Sequence, residues 1–382
     1  MKRDCFICTT PYQIIAACTI AYSTYNENLL PDMIVVPQFQ NADLCAERIE
    51  HSQIFHQVIL SDFETINRYK SRTNRIGIGI GIIEQYLSIE KSVPQYLGDR
   101  DYSRIYISSQ AIVGRLISLY FLKRGAEIIF FDDGEGSYDD NKLYEAQGID
   151  RAIRNVLFGK ESIRLGNSRQ VYCTDLYKMT FGHNDYVTAI PNWGENKEIL
   201  GKLNTIFNYS EEARINQDYI LLDTIPSESF DEKGASKYNE LFAICEEELG
   251  KKLMIKKHPR DNRKGNDSCA VYRYPTIPFE LICANSDINE KVLISAGSSA
   301  LLMPKILFNS EPTVILLHHI TGNRLGDTEK RERMILYIRE LYKDKERFMI
   351  PESTGEFRGL LAAIEKERKD NNDVLLQEMC NA

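Results

Sequence analysis

No run of apolar residues in this 382-residue chain approaches the roughly 18 to 20 that a helical membrane span requires. The first residues, Met1 to Cys8, carry a Lys-Arg pair but no long apolar region, so they do not read as a signal peptide. A Walker phosphate loop and a G-x-S-x-G nucleophile elbow are both missing, which removes P-loop and α/β-hydrolase chemistry from consideration. The net charge of −8 argues against the clustered Lys and Arg surface that a nucleic-acid partner demands. The nine cysteines form no paired framework. Cys5 and Cys8 stand two residues apart, but Phe6 and Ile7 between them place the pair in an apolar strand. Reduced, buried thiols are the reading, and with them a soluble cytoplasmic protein.

What is present is an alternation. Short apolar runs fall at Cys5–Thr9, Asp32–Val36, Gln57–Leu60, Arg104–Ile107 and Glu127–Phe131, with helical patterns between them. Thr10-Pro11 supplies a cap and a first-turn proline for the first helix. A second alternation follows: strands at Tyr219–Asp223, Leu253–Lys256, Lys291–Ile294 and Thr313–Leu317, with helices over Ala235–Leu249 and Ser298–Leu307. Buried strands separated by helices predict parallel, doubly wound sheets. At this length two domains are expected. The α/β reading divides the chain into residues 1–205, an acceptor-side Rossmann-like domain, and 206–350, a donor-binding one. A terminal helix in 351–382 is expected to pack back across the junction. Two Rossmann-like domains facing a central cleft resemble the GT-B architecture, which sugar-nucleotide epimerases share.

Polar signatures close several of these strands. Asp132-Asp133-Gly134 follows Glu127–Phe131; adjacent residues on an extended chain point opposite ways, so one carboxylate faces a ligand. A carboxylate there suits deprotonation of a hydroxyl, though an acidic turn is the plain alternative. His258-Pro259 follows a basic strand end, Lys256-Lys257, and suits an anion; a solvated basic loop is the alternative. Gly297-Ser298-Ser299 sits at a strand-to-helix turn, where free amides and hydroxyls can meet a phosphate or simply cap the helix. Pro278-Phe279-Glu280 adds a carboxylate after a rigid turn. Gly77-Ile-Gly-Ile-Gly81 has no preceding strand and reads as a loop or helix start. His318-His319 reads as part of a polar loop, because adjacent histidines diverge and no carboxylate stands near them in sequence. Asp139-Asp140 carries no further ligand pattern.

Taken together, the order of acid pair with glycine, His-Pro, and paired serines resembles the bacterial sialyltransferases. The Thr10-Pro11-Tyr12-Gln13 start and the overall length are most similar to glycosyltransferase family 52, the lipooligosaccharide and capsule sialyltransferases. The resemblance spans residues 1 to about 320, with motifs two or three residues long. It implies CMP-sialic acid as donor, inversion at the anomeric carbon, no metal, and a galactoside-terminated glycan as acceptor. By that resemblance Asp133 is the general base and His258 assists the leaving phosphate, with Lys256 and Pro259 beside it. Gly297, Ser298 and Ser299 hold the phosphate, and Glu280 the ribose. Thr10, Gln13, Asp132 and Gly134 belong to the acceptor and sugar side. Lys257, and Glu135-Gly136 after the acid pair, depart from the pattern. The family also includes members that transfer neutral sugars, so a UDP-hexose, another CMP-linked acidic sugar, or a non-catalytic sugar-nucleotide-binding protein stays open. Peripheral attachment to the inner face of the plasma membrane and a homodimer are likewise left open.

Overall fold

The computed structural model describes residues 2–61, 75–108, 112–132, 134, 148–160, 170–174, 186–225, 230–258, 269–322 and 328–381. The chain forms two compact units. One comprises Met1–Arg214 with Thr276–Ser286 and Ile306–Asn309; the other comprises Ile215–Pro275, Asp287–Lys305 and Ser310–Ala382.

The elements run β1 (Arg3–Cys8), α1 (Pro11–Thr24), β2 (Asp32–Val35), α2 (Ala42–His51), β3 (Gln57–Leu60), α3 (Arg75–Leu97), β4 (Tyr102–Ile107), α4 (Ile112–Leu122), β5 (Glu127–Phe131), α5 (Gly148–Phe158), β6 (Gln170–Cys173), β7 (Tyr186–Ala189) and α6 (Lys197–Phe207). They continue with β8 (Tyr219–Leu222), α7 (Glu232–Leu249), β9 (Leu253–Lys256), β10 (Ala270–Val271), α8 (Phe279–Ala284), β11 (Val292–Ser295), α9 (Met303–Phe308), β12 (Thr313–Leu316), α10 (His318–Thr321), α11 (Thr328–Glu340), β13 (Phe348–Met349) and α12 (Thr354–Asn381).

In the first unit the described strands form one parallel sheet of order β3-β2-β1-β4-β5-β6-β7. The central strand β1 is buried from Asp4 onward, and Phe6 stacks on Tyr106 at 4.2 Å between ring centroids. Its helix begins as the sequence dictates: the Thr10 hydroxyl caps α1 by accepting from the Gln13 amide, and Pro11 occupies the first turn. Gly77–Gly81 lies inside α3, on the helix-start side of its expectation. β6 and β7 were not foreseen.

The second unit repeats the pattern, with order β10-β9-β8-β11-β12-β13, parallel throughout. Its core joins Tyr238, Leu241 and Ile244 of α7 to Leu221, Ile255, Ile294 and Ile315 of the sheet. Phe357, Leu361 and Ile364 of α12 enter that same core. Thus the terminal helix, expected to cross the junction, sets its apolar stripe against this unit. Cys5, Cys8, Cys18, Cys45, Cys245, Cys269 and Cys283 are buried free thiols.

Candidate functional site

In both sheets the strand order reverses direction at one point, between β1 and β4 in the first and between β8 and β11 in the second. Ligands of open α/β sheets gather beyond the carboxyl ends of strands at such switch points. Most of the residues singled out in the sequence lie on the loops that leave these carboxyl ends.

In the first unit, Thr10 pairs with Gln13 and Asp132 with Gly134, and Tyr12 reaches the second pair. The Gln13 side chain is buried, and its Oε1 accepts from Thr9 N at 2.6 Å and Thr9 Oγ1 at 3.0 Å. Asp132 is fully buried; its Oδ2 accepts from the Tyr12 hydroxyl at 3.0 Å and its Oδ1 from Gly134 N at 2.9 Å. Asp132 N in turn donates to Tyr172 O at 2.8 Å, extending the ladder one residue past β5. Asp132 therefore builds the turn, and Tyr12 ties the β1 end to the β5 end. Gly134 has φ +80°, a conformation that L side chains rarely adopt, with the Tyr12 ring 4.0 Å from where a Cβ would stand. Asp133 lies outside the described residues, as do Pro259 and Asp139-Asp140.

Glu280 lies in the first turn of α8, half-buried. The sequence reading counted it with the carboxyl-terminal half. Its helix packs in the first unit, where Asn285 and Asn204 exchange amide hydrogen bonds of 2.9 and 2.8 Å.

In the second unit, Lys256 ends β9 with its side chain buried and its Nζ 5.2 Å from the Tyr272 ring centroid. Lys257 and His258 follow, half-buried. Asp223 N donates to Lys256 O at 2.9 Å, registering the β8 end against them. The α-helix expected from Ser298 does not form. A single 3-10 turn covers Ser299–Leu301, and the α-helix begins only at Met303. Pro304 explains the break: it lacks an N–H, and its ring excludes the carbonyl four residues earlier. The Ser295 hydroxyl instead organises the loop. Its Oγ accepts from Gly297 N at 3.2 Å and Ser298 N at 2.9 Å, and donates to Leu222 O at 3.0 Å across the switch point. The Arg331 guanidinium on α11 donates to Gly297 O at 2.8 Å. Among the described residues, the hydroxyls of Ser298 and Ser299 hold no hydrogen bond. The arrangement is a backbone turn fixed by Ser295 and Arg331.

Sequence reasoning missed Tyr12, Asp223, Ser295 and Arg331. A signal for Ser295 existed, since a serine closing a strand two to three residues before a turn commonly takes its amides. None existed for Arg331, which stands 34 residues from its partner. The expectation for His318-His319 needs correction. They diverge only on an extended chain; here they open the short helix α10, with ring centroids 4.3 Å apart. Both rings reach Glu332, His318 Nε2 to Oε2 at 2.8 Å and His319 Nε2 to Oε1 at 3.1 Å. Burial, together with the neighbouring His319, pushes the His318 imidazole below its ordinary range, although Glu332 opposes. Partial burial opposes His319, yet Glu352 and Glu332 hold it above that range.

No protein-family model and no curated protein matches the sequence. Solved structures match over nearly the whole chain. The glycotransferase of kitacinnamycin gives a TM-score of 0.53 at 8% identity, covering 95% of this chain and 90% of that one. The spinosyn forosaminyltransferase SpnP gives 0.49 at 9% identity, over 97% and 95%. The Methanocaldococcus jannaschii UDP-GlcNAc 2-epimerase, in complex with UDP-GlcNAc and UDP, gives 0.48 at 14%, over 96% and 100%. The first of these likenesses, together with the two parallel sheets, shows the fold alone: two parallel-sheet α/β units of the GT-B type.

Proposed function

We propose that this chain is a glycosyltransferase using a nucleotide-linked sugar as donor. The observation that carries the reading is the Ser295–Ser299 turn at the switch point of the second sheet. Ser295 and Arg331 hold its backbone, while Ser298 and Ser299 keep their hydroxyls available among the described residues. Prearranged donors of this kind suit a phosphate whose charge grows as its bond to the sugar breaks. Lys256, buried two strands away at the end of β9, adds positive charge to the same carboxyl-end side of the sheet.

In this reading an acceptor hydroxyl attacks the anomeric carbon from the face opposite the leaving group, inverting it. The new C–O bond forms as the bond to the phosphate oxygen breaks. Asp133 takes the hydroxyl proton; Ser298, Ser299 and His258 stabilise the departing phosphate; Glu280 holds the ribose. Thr10, Gln13, Asp132 and Gly134 shape the acceptor side. A nucleoside monophosphate leaving group carries a single phosphate, which hydroxyls and an imidazole suit, so transfer is expected to proceed without a metal.

The motif order supports CMP-sialic acid and a terminal galactoside. The fold by itself favours no base, and it accommodates a UDP-hexose or another CMP-linked acidic sugar as readily. The wider reading, a transferase of some nucleotide sugar, is therefore the better supported. No described helix is long and apolar enough to cross a membrane, so a lipid-linked acceptor would be met from the surface.

Thermal denaturation with CMP, UDP or GDP tests the proposal. A nucleotide at 100 times its Kd stabilises by about 2.7 kcal/mol. Selective stabilisation by CMP supports the sialyltransferase branch, and selective stabilisation by UDP moves the donor to the wider reading. Stabilisation by none of them sinks both. Asp133→Asn should then abolish transfer while leaving nucleotide binding intact. Binding without turnover in the unaltered protein, across several galactosides, would point to a non-catalytic binding protein.

A further inference from the structure

The structure assigns a divalent transition-metal site of the zinc class to His318, His319 and Glu332, with Glu352 as the carboxylate that orients His319. Two imidazoles and a carboxylate, from the β12–α10 turn and from α11, converge so that one ligand atom from each lies within 4.8 Å of the others. Nitrogen and carboxylate oxygen in this combination suit zinc and its neighbours in the first transition row, and three protein ligands leave one position open.

Three further observations favour a metal over a simple ion-pair clamp. First, His319 Nδ1 donates to Glu352 Oε1 at 2.7 Å, while its Nε2 faces Glu332. A carboxylate on one ring nitrogen with the other directed at the ligand cluster is the outer arrangement that fixes metal-binding histidines. Second, the His318 side chain is only 8% exposed, and its Nδ1 has no hydrogen-bond partner among the described residues. His318, like His319, therefore presents its Nε2 to Glu332. Third, Glu332 and Glu352 gather two carboxylates around two rings that ligate only as neutral imidazoles, and one divalent ion balances their formal charge of −2. The ion would hold α10 to α11, the helix whose Arg331 supports Gly297. This site stands apart from the reaction proposed above and does not depend on it.

The test uses the full chain, stripped with chelator, freed from it, and kept reduced. Zinc chloride is titrated by calorimetry, and cobalt(II) is followed by its visible absorption. One ion per chain is expected, with a Kd of about 1 µM or tighter. Bound cobalt should show tetrahedral d–d bands without the near-ultraviolet band of a thiolate ligand. His319→Ala and Glu332→Gln should each weaken binding at least about 100-fold, and Glu352→Gln about 10- to 100-fold. Circular dichroism of the metal-free variants shows whether they fold. If they do not, the cobalt spectrum of the unaltered chain decides by itself. Absence of saturable binding, a thiolate spectrum, or equal affinity in folded Glu332→Gln and His319→Ala would overturn the assignment and leave an ion-pair clamp.

Discussion

Replacing Ser295 by alanine strips the loop after β11 of its organising group while removing a single oxygen atom. The hydroxyl is fully buried, accepts from the amides of Gly297 and Ser298, and donates to Leu222 O. At roughly 0.5 to 1.5 kcal/mol net per bond, three bonds come to about 1.5 to 4.5 kcal/mol. Gly297 and Ser298 are half-buried, so water can recover part of this, and the central expectation is about 2 kcal/mol. The loss is local to one loop, so a local readout resolves it better than a global melt. Hydrogen exchange of peptides covering 292–302 reports the loop directly. Protection there should fall about 10- to 100-fold, at 1.4 kcal/mol per factor of ten, with the remaining sheet unchanged. Nucleotide affinity should fall about tenfold, since refixing one backbone residue on binding costs some 1 to 2 kcal/mol. Unchanged protection would refute the structural argument. Lost protection with nucleotide affinity intact would refute the loop's part in donor binding.

Three further outcomes follow from other contacts. Gly134→Ala places a side chain at φ +80° with no clash to relieve, so it should cost about 1 to 2 kcal/mol by denaturant unfolding; a neutral result would mean the turn after β5 is not held in that conformation. The Lys305–Glu311 pair, 2.5 Å apart and nearly buried, should respond strongly to Glu311→Gln, losing about 3 kcal/mol by denaturant unfolding because the buried ammonium loses the Glu311 charge. Glu365 is held below its ordinary value of 4.5: partial burial works against this, but the Lys252 and Tyr219 hydrogen bonds outweigh it. A depressed carboxylate stabilises above its unfolded pKa and loses that contribution as pH falls through the folded one. The stability difference between the unaltered protein and Glu365→Gln should therefore be constant above pH about 5 and shrink below about 4.5 in acid titration of urea midpoints. A difference that does not change with pH would mean that the Lys252 and Tyr219 bonds do not hold this carboxylate of α12.

Some of this protein is written locally. Alternation of short apolar runs with helical patterns specified two parallel α/β units, because burial on both faces of a strand leaves a signature within four or five residues. Thr10-Pro11 specified where α1 starts, since the cap bond and the proline's missing N–H act within one turn. The strand-end positions of Asp132, His258 and Ser298 were legible for the same reason. Other features depend on residues that the chain brings together from a distance. Whether Asp132 builds a turn or faces a ligand was decided by the Tyr12 hydroxyl, 120 residues away. The anion-binding helix terminus foreseen at Ser298 gave way to a turn held by Ser295 and Arg331, because Pro304 forbids the helix and α11 supplies the guanidinium. His318 and His319 converge instead of diverging because a helical turn, not an extended strand, carries them toward Glu332. Backbone preference and burial act between near neighbours and can be read in order along the chain. Hydrogen bonds and charge pairs act through space, and their partners exist only once the sheets have formed.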